Sequence, residues 1–447
     1  MAEYRFLLIQ SVRQWHRSAG FDTDSFTPWN HLVLDSPAAK GSWSWGMNRA
    51  GSATLTIHDE QLRLASSAGW QLYQPLSGVS TNLFPGSLTL WIERDGRAIW
   101  AGMVTDMQMS SEQDGVTLSA EEFTGYYDRL RLSTNFSQAA QYTWHLVEQL
   151  LSIEGAASVQ MPMYLRNGGT TGTLYAPDSA GSPSDIIVDT ELHPPGWVDP
   201  DLHSPLWYSH ENHKIGDLIR TLQGIGSGFE WRQVLMGDFT QRSGNYPTWA
   251  GSQYTAPSGT MSYQGSQGWI AKFGLYKGKM GITRTNPSIE FGEGAANTVH
   301  KADWTFSVRQ TANRVKVVGF GSGSQAIQHT ATSTLRVFYG LFDPVPLLDV
   351  TYSDQRLTSQ ALVDAKADYI LERIGHPTLN VRVETVPGDT LSLDSIGLGD
   401  RIYTRMVKGG LDLSAWLRVG SMAMQTDYNN HEVLTMELSA DTESFSA

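Results

Sequence analysis

The sequence contains no cysteine. Disulfide scaffolds, thiolate metal centres and cysteine nucleophiles are therefore excluded together. A length of 447 residues also lies far beyond a disulfide-stapled mini-scaffold. Charge is scarce, at 17% of residues, and positive charge is in deficit: 32 Lys and Arg stand against 45 Asp and Glu, a net charge of −13. A nucleic-acid binder shows the opposite balance, because its affinity comes from neutralising phosphates. Low charge combined with 40% apolar residues argues against disorder. Long hydrophobic runs are missing too. The most apolar stretch, Val337 to Val350, is too short to cross a bilayer and contains Asp343 and two prolines. The apolar run near the start lacks a basic segment before it, so it does not read as a signal peptide.

Aromatic residues, by contrast, are plentiful, with 15 Trp among the 11% of residues that are Phe, Trp or Tyr. That composition suits β-strands and interfaces. The length predicts two to four domains, since one core rarely grows past about 250–300 residues. The first ~130 residues alternate apolar and polar with period two. Gly51–Ile57, Ser87–Glu93, Ala98–Val104 and Val116–Ala120 read as strands, with hairpin turns at Asp95-Gly96 and Asp114-Gly115.

The period then becomes helical. Leu146, Val147, Leu150 and Leu151 share one face behind a Thr143 cap and before Gly155; Ile215, Leu218, Ile219 and Leu222 share another, ending near Gly224. Between them, Asn167–His213 reads as long loops with a short strand at Asp185–Val188. Gly237–Gly268 is rich in Ser, Gly, Tyr and Gln, and structureless stretches of that length inside a domain usually carry function. Its aromatics predict an interface at Tyr246, Trp249, Tyr254 and Tyr263; Phe338, Tyr339 and Phe342 are candidates of the same kind in the apolar stretch. Strands return from Ser288, including Ala312–Gly319 and finally Val433–Leu438. A helix over Thr358–Ile374 interrupts them, with Ala361, Leu362, Ala365, Tyr369, Ile370 and Ile374 apolar and Gly375-His376-Pro377 as its stop.

The two β regions resemble each other. Trp43-Ser-Trp45 followed by Leu55-Thr-Ile57 corresponds to Trp304-Thr-Phe306 followed by Val315-Lys-Val317. Pro85 to Leu90 lines up with Leu398 to Tyr403, Trp100 to Met109 lines up with Trp416 to Met424, and both regions end in Leu-Ser-Ala, at Leu118–Ala120 and Leu438–Ala440. Alternation alone is common to any two meanders, but the shared order of these landmarks points to two copies of one β-barrel. Two copies of one fold in a chain mimic two subunits of a ring.

Few residues invite catalysis. His210-Glu211-Asn212-His213 falls one residue short of H-E-x-x-H, which displaces the Glu from the place of a base. With His193 and His203 nearby a loop metal site is conceivable, but solvated loop histidines explain the group better. Gly319-Phe-Gly321-Ser-Gly323 follows a strand, yet no helical pattern comes after it as a dinucleotide loop requires; the glycines read as a turn. Glu121 and Glu122 are adjacent on a strand and point to opposite faces, so they cannot flank one glycosidic bond without a bulge. No catalytic residue, cofactor or metal ligand is predicted.

Pro85-Gly86, the Arg94-Asp95-Gly96 hairpin, Trp100-Ala101-Gly102 with Val104, Leu118–Glu121 and Tyr126–Leu132 together resemble the tail hub proteins of tailed bacteriophages. The Leu398-Gly399-Asp400 and Arg418-Val419 strands resemble the second barrel of that family. The resemblance covers the two barrels, about half the chain, and extends in layout to the rest. It implies a mainly β chain with α/β insertions. Two tube-protein-like barrels would occupy 1–132 and 289–350 with 377–447, a middle α/β domain 133–288, and a helical insertion 351–376. It further implies a homotrimer at the distal end of the tail of a virion made in host cytoplasm, adapting a six-fold tube to a three-fold tip. The implied partners are the tail tube or distal tail protein, the tape-measure protein and receptor-binding or other minor tail proteins. DNA would pass through the channel without specific binding. Such hubs often carry a cell-wall hydrolase after the hub part; here Ala447 follows the second barrel directly, and no enzyme activity is expected. Two other classes stay open: a carbohydrate-binding attachment protein using exposed Trp and Tyr, and a cell-wall hydrolase, which would need a cleft holding paired carboxylates or the His193, His203, His210 and His213 group.

Overall fold

A computed structural model describes residues 2–10, 31–35, 39–58, 88–109, 115–138, 146–150, 163–167, 171–175, 205–223, 229–237, 266–277, 280–333, 347–388 and 391–440, apart from a few single or paired positions within them. The chain is mainly β. The first strands are β1 (Tyr4–Gln10), β2 (His31–Asp35), β3 (Ala39–Gly46), β4 (Ser52–Ile57), β5 (Leu88–Arg94), β6 (Arg97–Met109) and β7 (Val116–Glu122). Their order in the sheet is β3-β4-β7-β6-β5-β1-β2. Alternation creates them as expected: every second residue of β7 is buried, the others half-buried. Asp95 and Gly96 both take positive φ, 51° and 78°, which is the turn that matches the twist of a two-residue hairpin.

The middle region holds β8 (Phe136–Ser137) paired with β11 (Leu206–Trp207), and a four-stranded sheet of β9 (Met163–Asn167), β10 (Thr171–Tyr175), β12 (Phe229–Gly237) and β13 (Ser266–Lys277). Helix α1 (Ile215–Gln223) buries Ile215, Leu218, Ile219 and Leu222, the face its spacing predicts. Leu146, Val147 and Leu150 are buried in the same cluster, whereas Thr143, Leu151, Gly155 and Asp185–Val188 lie outside the described residues. That cluster reaches the outer face of the first region through Leu7, Trp91 and Ala101.

The last third contains β14 (Thr283–Gly292), β15 (Lys301–Ser307), β16 (Arg314–Val318), β17 (Gln328–Thr332), β18 (Asp349–Ser353), α2 (Gln360–Ile374), β19 (Thr378–Thr385), β20 (Arg401–Lys408), β21 (Leu411–Thr426) and β22 (Glu432–Ser439). Six of these strands continue the sheet of the first region, which reaches 13 strands. Their order is β15-β19-β22-β21-β20-β14. It repeats β3-β4-β7-β6-β5-β1 step by step, with one difference: β1 runs antiparallel to β5, and β14 parallel to β20. The detail repeats as well. A bulge sits between Val104 and Asp106 against β7, and another between Val419 and Ser421 against β22. Gly409 and Gly410, both with positive φ, close the β20–β21 hairpin as Asp95 and Gly96 close β5–β6. One continuous apolar core includes Phe6, Trp43, Leu55, Trp100 and Leu118 of the first copy and Val381, Ile402, Val419, Met436 and Leu438 of the second.

Two landmarks of the repeat shift. Strand β19, not Val315–Val317, stands where β4 stands. β16 pairs instead with β17 and β18 and packs on α2 around Val315, Val317, Leu357, Val363 and Ala367, a small body between β15 and β19. Apolar alternation is the same in both strands, and periodicity does not say which sheet a strand joins. Trp416 is the counterpart of Ala101 rather than Trp100, since Tyr403 faces Trp416 as Trp91 faces Ala101. The cause is a bulge at Ile99 in β6, which adds one residue and turns Trp100 to the core. In α2, Leu362, Ile370 and Ile374 pack as predicted, but Val363 and Ala367 form the buried centre and Ala361 is exposed. Ser359 caps that helix by accepting from the Leu362 N–H at 3.3 Å.

Candidate assembly interface

The two copies meet inside the chain where the second half of β21 lies between β22 and β3. Ser421 faces Gly46, Met422 faces Trp45, Ala423 faces Ser44 and Met424 faces Trp43. Trp43 and Met424 are each 1% exposed. Trp43 packs against Tyr4, Phe6 and Trp45 at ring distances of 5.5, 6.4 and 6.5 Å, while the Trp45 indole N–H donates to the Ile99 carbonyl at 2.9 Å. A buried polar clamp reinforces the seam. Arg94 of the first copy donates twice to Glu432 of the second, at 2.7 and 3.1 Å, and the Tyr4 hydroxyl donates to the same carboxylate. Burial, and then the Glu432 carboxylate beside it, raises the Tyr4 hydroxyl well above the ordinary tyrosine range.

Strand β12 of the middle region is fixed to both copies. On the first copy, Asn48 accepts from the Trp231 N–H at 2.9 Å, while Gln233 accepts from the Phe123 N–H at 2.8 Å and donates to the Ala101 carbonyl at 2.6 Å. On the second, the buried Arg418 guanidinium grips the Glu230 carboxylate, one bond at 2.7 Å, and also donates to the carbonyls of Gly399 (3.1 Å) and Met280 (2.8 Å). Glu230 accepts from the Met280 N–H at 2.6 Å. Each charge therefore has partners, which a buried ion pair requires. These groups hold three parts of the chain in fixed relation.

The residues that looked chemical in the sequence are dispersed. His213 contacts the Glu211 carboxylate at 2.9 Å at an exposed 3-10 turn, and His210 lies against the Tyr208 ring. Among the described residues no group of three or more His, Cys, Asp or Glu could hold a metal ion; His193 and His203 lie outside them. Glu121 pairs with Arg129 at 3.1 Å, whereas Glu122 is buried and accepts from the Gly51 N–H at 2.6 Å, so the two carboxylates do point apart. Gly321 and Gly323, at positive φ, turn the chain from β16 into β17. No helix among the described residues is long and apolar enough to cross a membrane.

Every predicted interface aromatic, Tyr246, Trp249, Tyr254, Tyr263, Phe338, Tyr339 and Phe342, lies outside the described residues. The excursion that carries the first four leaves and re-enters the fold at one place, because Gly237 at the end of β12 faces Trp269 in β13. The polar anchors Arg418, Glu230, Gln233 and Asn48 escaped notice in the sequence, since lone charged and amide residues carry no periodic signal.

Comparison with solved structures separates an ordinary β-meander from a specific architecture. A tail protein from Neisseria meningitidis aligns over 98% of this chain and 97% of its own, at a TM-score of 0.54 and 9% identity. The chain has the fold of phage tail proteins. The 43 kDa tail protein of prophage MuSo2 from Shewanella oneidensis aligns over 98% of both chains with a TM-score of 0.52 and 10% identity. A prophage tail protein from Listeria monocytogenes covers 99% of this chain and 96% of its own, at 0.50 and 11%. No family model matches the sequence, and no curated protein matches it. At such identities the tail-protein fold is shared as a whole while nearly every side chain differs.

Proposed function

We propose that this chain is a structural hub of a phage tail tip, without enzymatic activity. Three copies form a ring in which six tube-like barrels surround a channel, matching a six-fold tube above and a three-fold tip below. The division into two barrels, a middle α/β region and an insertion belongs to the same proposal. The observation that carries it is the repeated strand order, β3-β4-β7-β6-β5 and β15-β19-β22-β21-β20, joined edge to edge in one sheet by β21 and β3. Two equivalent units side by side in one chain are one third of a six-unit ring. The shared fold of the three tail proteins, over nearly their whole length, supports the location in a virion tail. Neighbours in the particle would be the tail tube or distal tail protein, the tape-measure protein and minor or receptor-binding tail proteins.

The net charge of −13 per chain suits a DNA conduit, because a repulsive wall keeps a polyanion from adhering in transit. Sedimentation of the full chain tests the stoichiometry: a mass three times 49.4 kDa supports the ring, and a monomer or a two-fold dimer removes it. A channel lined with Lys and Arg would remove the conduit.

A further inference from the structure

Strand pairing makes each position of one copy the counterpart of a position in the other. Val104 faces Ala120, which faces Ala53, which faces Trp43; Val419 faces Leu438, which faces Val381, which faces Trp304. Trp304 is thus the counterpart of Trp43, and Phe306 of Trp45. Beyond the matched bulges, Asp106, Met107, Gln108 and Met109 are the counterparts of Ser421, Met422, Ala423 and Met424.

Ser421–Met424 is covered by β3, but among the described residues Asp106–Met109 has only β7 beside it. Strand β15 likewise has only β19. Exposure follows the difference. Met424 is 1% exposed, whereas Met109 is 64% exposed. Trp45 is half-buried against the core, and Phe306 is 57% exposed. Among the described residues the sheet therefore carries two complementary open edges, β15 at its end and the overhang of β6 beyond β5, each equivalent to one side of a junction the chain already contains. An open edge strand with exposed aromatic residues is a hazard unless something pairs with it.

We propose that β15 of one molecule pairs antiparallel with Asp106–Met109 of a second copy. The register transferred from the internal junction places Asp106 against Ser307, Met107 against Phe306, Gln108 against Thr305 and Met109 against Trp304. The contact is head to tail, so each molecule uses a different edge toward each neighbour, and it closes into a ring if the rotation between copies permits. The inference deepens the ring reading and rests on it for the number of molecules alone.

The absence of cysteine makes disulfide trapping in the full chain clean. Gln108 and Thr305 are both exposed, and facing residues of an antiparallel pair stand about 4.5–5.5 Å apart at Cα, within disulfide range. Gln108→Cys and Thr305→Cys proteins, mixed and oxidised, should yield a covalent dimer; the double variant should give a ladder that ends at three. Met107→Cys with Thr305→Cys places the thiols on opposite faces and should trap at least tenfold less. Phe306→Lys, at an exposed position, should leave thermal unfolding of the chain intact and abolish assembly.

A ladder that ends at another number supports the junction and removes the trimer. A particle of three molecules without the 108–305 cross-link overturns the junction and leaves the trimer. Neither cross-link nor assembly overturns both. Equal trapping at 107, or normal assembly of Phe306→Lys, also overturns the proposed pairing.

Discussion

Glu122 ends β7 in a site where charge is costly. The residue is 3% exposed; its carboxyl accepts from the Gly51 N–H, and its backbone N–H donates to the Gly51 carbonyl at 3.0 Å. Burial raises its pKa to about 8 from an ordinary 4.5; the Gly51 bond and then Arg232 oppose the rise, and Glu121 adds slightly to it. Between these values the folded chain holds a proton that the unfolded chain has released. Stability from this group is therefore full below about pH 4.5 and is lost progressively as pH rises to about 8. At about 1.4 kcal/mol per pH unit the loss amounts to roughly 4–5 kcal/mol. Glu122→Gln keeps the volume and the acceptor for Gly51 and has nothing to ionise. Urea midpoints followed by tryptophan fluorescence at pH 5, 6, 7 and 8 should show the variant gaining on the parent with each step, with most of that difference developed by pH 8. A difference that is constant with pH, or that grows toward acid, would mean that the folded chain does not hold Glu122 protonated.

Arg418→Met leaves Glu230 buried beside the Met280 backbone without its cation, and should cost about 3–5 kcal/mol in denaturant melts. Adding Glu230→Met should recover most of that loss. Ser359→Ala removes the N-cap of α2 and should cost about 1 kcal/mol, read as faster amide exchange in the body of β16–β18 and α2 while the large sheet stays protected.

Period-two alternation and the Asp-Gly turn made the first copy readable in the sequence, and the order of aromatic landmarks revealed the second. Leu55-Thr-Ile57 and Val315-Lys-Val317 alternate alike, so the sequence offered no way to see that the latter belongs to another sheet. Nor is the bulge at Ile99, which separates Trp100 from Trp416 by one place, encoded in any composition signal. The Trp45–Phe306 match was visible as a pair of aromatics. Its meaning, one covered and one open, needed the sheet order, because exposure at an edge depends on which strands lie beside it.

Electron microscopy of the assembled chain reads its symmetry and its junctions together. A ring with true three-fold symmetry is expected, with six equivalent sheet units around a channel and the β15 edge of each molecule seated on β6 of its neighbour. A two-fold dimer, or a ring in which β15 faces solvent, would contradict it.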